Sequence, residues 1–209
     1  MDTTYAERHV RAMELARRCF LAGARISTVE YLTGLDRSVL RKYFFDRKHP
    51  PKPGKRPDSV EAFLKNATLL TMVEASVFYC AYRRHLELWP CRAESVLCGY
   101  LQHKEDVIGS ALTLDRAFYV VCWTDGLWAT REKALRFATC TVCHSRYIAA
   151  LAGHEHHERD CPFCRLWSRY AADPRIKGRF PERRREEVQS ALSCLVAGLR
   201  RAHEDRSTG

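Results

Sequence analysis

Long apolar runs are missing from this 209-residue sequence. The segment AFYVVCW at 117–123 is among the longest, far short of the about 20 residues that a membrane-spanning helix needs. The first stretch, MDTTYAERHVRAMELARR, is charged from Asp2 onward. It has neither an apolar h-region nor a small-residue cleavage site, so it does not read as a signal peptide. Internal repeats and low-complexity tracts are also absent. A soluble, cytoplasmic chain with no membrane partner is therefore expected. In that compartment the ten cysteines stay as thiols, and paired ones point to metal or redox work instead of disulfides. The length suffices for one domain, or for a helical domain with a small appendage.

What is present begins with charge. The formal net charge is +10, and two segments account for it. Residues 36–56 carry eight Lys/Arg against two Asp, and residues 159–185 carry nine against three acidic residues. The remainder is close to neutral. A basic run on its own is usually a solvated face, but two concentrations on a balanced chain favour a polyanionic partner, nucleic acid first.

The apolar pattern is mostly helical. Ala6 to Ala22 spaces Val10, Met13, Leu15, Ala16, Phe20 and Leu21 as an amphipathic helix. Ser27 and Glu30 satisfy a capping box for a second helix, which should stop at Gly34. Asp36 can cap a third, from Arg37 to about Asp46. HPPKPGKRP at 49–57 has four prolines and reads as a stiff basic linker. One long helix is then expected from Ser59 to Trp89, with Phe63, Ala67, Leu70, Val73, Val77 and Cys80 as its stripe. Further helices are expected at 92–103 and 105–124. ADPRIKGRFPERRR reads as a polar tether before a last amphipathic helix from Glu182 to about Ala202.

CTVCHSRYIAALAGHEHHERDCPFC, residues 140–164, holds two C-x-x-C pairs in the spacing C-x2-C-x17-C-x2-C. That spacing falls within the range of structural zinc sites. Two cysteines three apart can turn both sulfurs to one side of a tight knuckle, and a second knuckle completes a tetrahedron. The expected ligands are Cys140, Cys143, Cys161 and Cys164, holding one Zn²⁺ per chain. Such a site can supply folding energy on the order of 10 kcal/mol. A thioredoxin-like centre would need only one pair, beside a βαβ pattern. A zinc deaminase separates its H-x-E and cysteine halves widely, and His154 to Glu158 is not H-E-x-x-H. His144, His154, His156 or His157 could each replace a thiolate. Four thiolates leave no open position on the metal, so a structural role is expected and catalysis is not. Arg146, Arg159 and Arg165 could offset the charge of such a centre. The cysteines outside the pairs read as small core residues.

RISTVEYLTGLDRSVLRKYFFD has the rhythm of a helix-turn-helix. Val29, Leu35, Leu40 and Tyr43 would pack the pair. Arg37, Ser38, Arg41 and Lys42 would then face outward, where a recognition helix meets bases and phosphates. Arg165 and Arg169 beside the second knuckle could equally lie along a DNA groove.

Order and motifs resemble the FlhC family of flagellar transcriptional activator subunits. The similarity runs from about Arg11 to Arg165. It is carried by FLAGARISTVEYLTGLDRSVLRKYF, the HPPKPGKRP linker, LTLDRAFYVVCWTDGLW and the two cysteine knuckles. The resemblance implies a mainly α subunit that pairs with FlhD in a ring-like heterohexamer. It also implies binding to promoter DNA upstream of flagellar operons, recruitment of RNA polymerase, and zinc on the four named cysteines. The chain departs from the family pattern at His144-Ser145-Arg146, where relatives often carry glycine. It departs again in SVEAFL at 59–64, which lacks a tryptophan, and in a longer region past Pro174.

The expected organisation is thus a helical domain over 1–130, including the helix-turn-helix-like segment 24–46. A zinc-binding segment follows over 131–172, then a basic extension with an amphipathic helix over 173–209. The expected function is transcription activation through DNA, not enzyme catalysis. The competing expectation is a zinc-stabilised protein–protein adaptor with no direct base readout.

Overall fold

A computed structural model describes residues 4–46, 48–50, 59–151 and 161–181. The stretch 51–57 of the basic linker, the histidines at 154, 156 and 157, Arg159, and the last expected helix lie outside the described residues. Within them the chain is mainly helical, with nine helices and one two-stranded sheet. No helix among the described residues is long and apolar enough to cross a membrane.

α1 (Tyr5–Leu21) starts on a capping box: the Glu7 N–H donates to Thr4 Oγ1, and the Thr4 N–H donates to the Glu7 carboxylate. α2 (Ile26–Thr33) and α3 (Arg37–Tyr43) form the expected hairpin, separated by Gly34 in the left-handed region at φ 69°. Three details differ from expectation. Ser27 does not cap α2: the N-cap is Arg25, two residues earlier, and Asp115 supplies the carboxylate that α2 lacks. α3 ends at Tyr43, three residues short of Asp46, because Phe45 turns into the core and meets Phe20 edge-on at 5.1 Å. Phe45 takes the packing place expected of Tyr43, which is exposed, while Val29, Leu35 and Leu40 are buried as expected.

The helix expected over 59–89 is two. α4 (Val60–Asn66) is capped by Ser59 and α5 (Leu69–Leu88) by Thr68, whose Oγ1 accepts from the Thr71 N–H at 3.2 Å. The hydroxyl at Thr68 offers the backbone an alternative to continuing the first helix, and Ala67 is extended there. α5 is the hub of the fold. Val73, Glu74, Ala75, Ser76, Phe78, Tyr79, Ala81 and Tyr82 are all buried, so its middle is enclosed nearly all round. Of the expected stripe, only Val73 is fully buried.

α6 (Arg92–Asp106) crosses α5 with its backbone close. A Cβ on Gly99 would lie 2.7 Å from the Tyr82 amide nitrogen, so only glycine fits. α7 (Leu114–Asp125) begins nine residues later than expected, after a connection that buries Val107 and Leu112. β1 (Leu135–Thr139) and β2 (Arg146–Ala150) pair antiparallel, from Leu135 opposite Ala150 to Thr139 opposite Arg146. This hairpin was not foreseen. It packs on α5 and α7, and the Ile148 N–H donates to the buried Ser76 hydroxyl at 3.1 Å. α8 (Pro162–Tyr170) lies on α5. The expected tether contains α9 (Pro174–Arg179), started by Asp173 as N-cap with Pro174 at the first helical position.

Candidate metal centre and nucleic-acid interface

The first knuckle sits at the tip of the hairpin. Cys140 directly follows β1, and its N–H donates to the Ser145 carbonyl at 2.9 Å, closing the turn. The Val142 and Cys143 amides donate to Cys140 Sγ at 3.4 and 3.5 Å. These bonds fold the backbone around the sulfur and spread its negative charge onto backbone dipoles. His144 completes the turn at φ 59°, a conformation that glycine would adopt without strain. The second knuckle is the start of α8. Cys161 occupies the N-cap and Pro162 follows it at the first helical position, which costs no hydrogen bond. Cys164 stands in the first turn of that helix.

The two knuckles meet. Cys140 Sγ lies 3.8 Å from Cys164 Sγ, and Cys143 Sγ lies 3.6 Å from Cys161 Sγ. All four sulfurs are within 4.8 Å of one another. A tetrahedron of sulfurs at about 2.3 Å from a central ion has edges of about 3.8 Å, so the observed separations fit a four-thiolate metal site. The residues present therefore suit the ion implied by their spacing. His144 is exposed and not part of the group.

The proton chemistry agrees with that geometry. A hydrogen bond from the Ser145 side chain, the largest cause, pushes Cys143 down to about 6. Cys164 is pushed up to about 12, mainly because it keeps its proton to donate to Cys143, and burial raises Cys161. Four sulfurs this close cannot all be negative without a cation, so metal entry must release protons. Sequence reasoning missed Ser145, since a single hydroxyl beside a knuckle carries no spacing rule.

The basic residues expected to meet nucleic acid are all exposed. Arg37, Ser38, Arg41 and Lys42 lie on the solvent side of α3, and Arg165 and Arg169 on that of α8. They belong to separate groups: α3 packs on α2, whereas α8 packs on α5 and α9. Arg37 is held by Glu30 at 3.0 Å, and the Lys42 ammonium sits over the Tyr43 ring at 5.2 Å from its centroid. Between Arg165 and Arg169 lies Trp167, 79% exposed and stacked on Tyr170. It too was missed, although a tryptophan between two arginines is a visible signal for a contact surface.

A buried carboxylate fixes the α2–α3 pair. Asp115, in the first turn of α7, accepts from the Arg25 N–H at 2.9 Å and from the Thr28 hydroxyl at 2.6 Å. The Arg25 guanidinium approaches its other oxygen at 3.7 Å. Asp115 thus serves as the N-cap that α2 does not supply from its own side chains.

Comparison with known proteins agrees in extent and order. The profile of a family described as flagellar transcriptional activator (FlhC) matches residues 3–177. A flagellar transcriptional regulator FlhC from Yersinia enterocolitica is 29% identical over 161 residues, covering 74% of this chain and 77% of that protein. The corresponding regulator from Serratia marcescens is 26% identical over 194 residues, covering 86% and 93%. With the helical body, the α2–α3 hairpin and the four-cysteine centre within the matched span, the chain belongs to the FlhC family of flagellar transcriptional activators.

Proposed function

We propose that this chain is a DNA-binding subunit of a transcription activator, paired with an FlhD-type partner in a hetero-oligomer and acting on flagellar operons. One Zn²⁺, held by Cys140, Cys143, Cys161 and Cys164, would play a structural part. The observation that carries the reading is the sulfur cluster itself, because its second knuckle is also the first turn of the basic helix α8. A metal there holds Arg165 and Arg169 against the hairpin. Four soft thiolates in tetrahedral spacing suit Zn²⁺, and a closed four-ligand shell offers no position for a reacting water. The family is one of transcriptional regulators, not enzymes.

Binding would then proceed by phosphate neutralisation from α8 and α3, with α3 presenting Arg41 and Lys42 toward base edges. Such a complex works in the cytoplasm, where promoter DNA and RNA polymerase are both present, and its activating step would be recruitment of that polymerase.

The test uses the chain co-expressed and purified with its partner. Metal analysis should return one zinc per chain. Affinity for a flagellar promoter fragment should fall with salt at a log–log slope of about −0.9 per phosphate contacted. Charge reversal of Arg165 and Arg169, or of Arg37, Arg41 and Lys42, should weaken retention on DNA while the hetero-oligomer stays intact. If both sets leave DNA retention unchanged, the chain is an adaptor whose metal orders a docking surface.

A further inference from the structure

Arg179 belongs to the basic run that the sequence offers to a polyanion, yet its side chain is only 29% exposed. It closes α9 and donates to a carboxylate oxygen of Glu74, which is 2% exposed, in the middle of α5. The other oxygen of Glu74 accepts from the Ser110 hydroxyl at 3.0 Å and from the Leu112 N–H at 3.2 Å. One buried carboxylate therefore joins α5, the connection between α6 and α7, and α9. An uncompensated charge at that depth is strongly unfavourable, so Arg179 is the partner Glu74 requires.

The consequence falls on α8. Its first turn is fixed by the cysteine cluster. Its last turn leads directly into α9, through Asp173 and Ala172 N–H bonds to the Arg169 carbonyl at 3.0 and 3.1 Å. The Tyr170 hydroxyl donates to the Phe180 carbonyl at 2.9 Å, and Ile176 of α9 is buried. α8 is thus held at both ends, by a metal-type knuckle and by the docking of α9. α8 also lies on α5, so loss of the second hold frees only the end that carries Arg169, while Arg165, next to Cys164, stays fixed by the first.

We propose that the Arg179–Glu74 pair is a positioning device that sets the direction of Arg169 and so tunes DNA affinity without touching DNA. The inference rests on the reading that α8 grips phosphates, and the experiment separates the two. Promoter affinity and its salt dependence are measured on the purified hetero-oligomer for R179Q, R179K, R165A/R169A and R165A/R169A/R179Q, with zinc content checked for each.

R179Q should weaken binding about threefold and flatten the salt slope by about 0.9, the equivalent of the one Arg169 contact and half the change in R165A/R169A. The triple variant should be no worse than the double, and R179K should recover most of the loss. Zinc content and partner assembly should not change. If R179Q binds like the wild type while R165A/R169A loses affinity, the positioning role is wrong and the phosphate reading survives. Additive loss in the triple variant also overturns it, because Arg179 would then contribute independently. If R165A/R169A binds normally, both readings fall. Should R179Q not assemble, E74Q/R179Q removes the buried charge along with its partner and carries the same comparison.

Discussion

Single residues decide whether the cysteine centre closes well. His144 stands in left-handed backbone geometry at φ 59°, where a side chain costs about 1 kcal/mol relative to glycine. H144G should therefore raise the unfolding free energy of the metal-loaded chain by roughly that amount, measured by denaturant titration at fixed metal. A loss of stability instead would reveal a contribution from the imidazole. The four cysteines that the fold gathers were legible in the sequence because thiolate coordination demands pairs three apart. The parts that shape the knuckle were not, because amide-to-sulfur bonds come from the backbone and Ser145 acts through a hydroxyl that many loops carry. At the hairpin of helices the same limit shows in Tyr43 and Phe45. Both are aromatic and two apart, and only the position of Phe20 settles which one goes inside.

At the scale of elements, helix starts and stops followed local chemistry, whereas lengths followed packing. Gly34 ended α2 as its left-handed geometry requires, and Pro90 lies just past the end of α5. The split at Thr68 was hidden because Phe63 through Cys80 keep a helical rhythm across it. The β-hairpin was hidden for a different reason. Its strands are five residues long, and the turn joining them carries Cys140 and Cys143 instead of the Asn-Gly type of signal that marks most tight hairpins. The α5–α6 crossing supplies a direct test of packing. G99A would drive a methyl group into the Tyr82 backbone, which has no flexible tip to yield, and should cost about 1–3 kcal/mol. A thermal melt of G99A, compared with a surface substitution such as E105A, would check this. An unchanged melting temperature would mean that the two helices can separate freely.

Across the whole molecule, stability should depend on pH through one buried histidine. His103 is fully buried beside Ser110, with Nε2 2.8 Å from the hydroxyl oxygen. Burial, the largest cause, lowers it to about 4 from an ordinary 6.5, against a smaller upward pull from Glu74. Its neutral form is the folded one, so its contribution is fully present above pH 6.5. That contribution is lost as the pH falls from 6.5 toward 4, because the unfolded chain takes up the proton first. The loss should reach roughly 3 kcal/mol. Comparing wild type with H103Q over that range isolates this residue from acid release of any metal, and parallel profiles would show that His103 plays no part. At this scale the sequence located both basic segments, yet it counted every charge in them as available. Arg179 and Arg37 are instead engaged by carboxylates that lie far away or on a neighbouring helix, which no run of residues reveals.

The reach of Asp115 back to α2 has a bearing on how the molecule comes into being. The hydrogen bond to the Arg25 amide spans 90 residues. During synthesis, therefore, the N-terminal pair emerges long before the group that completes it, and it must wait for the seventh helix to leave the ribosome. A peptide cut out as residues 24–46 would carry Arg37, Arg41 and Lys42 on α3 behind an α2 whose opening turn is unfinished.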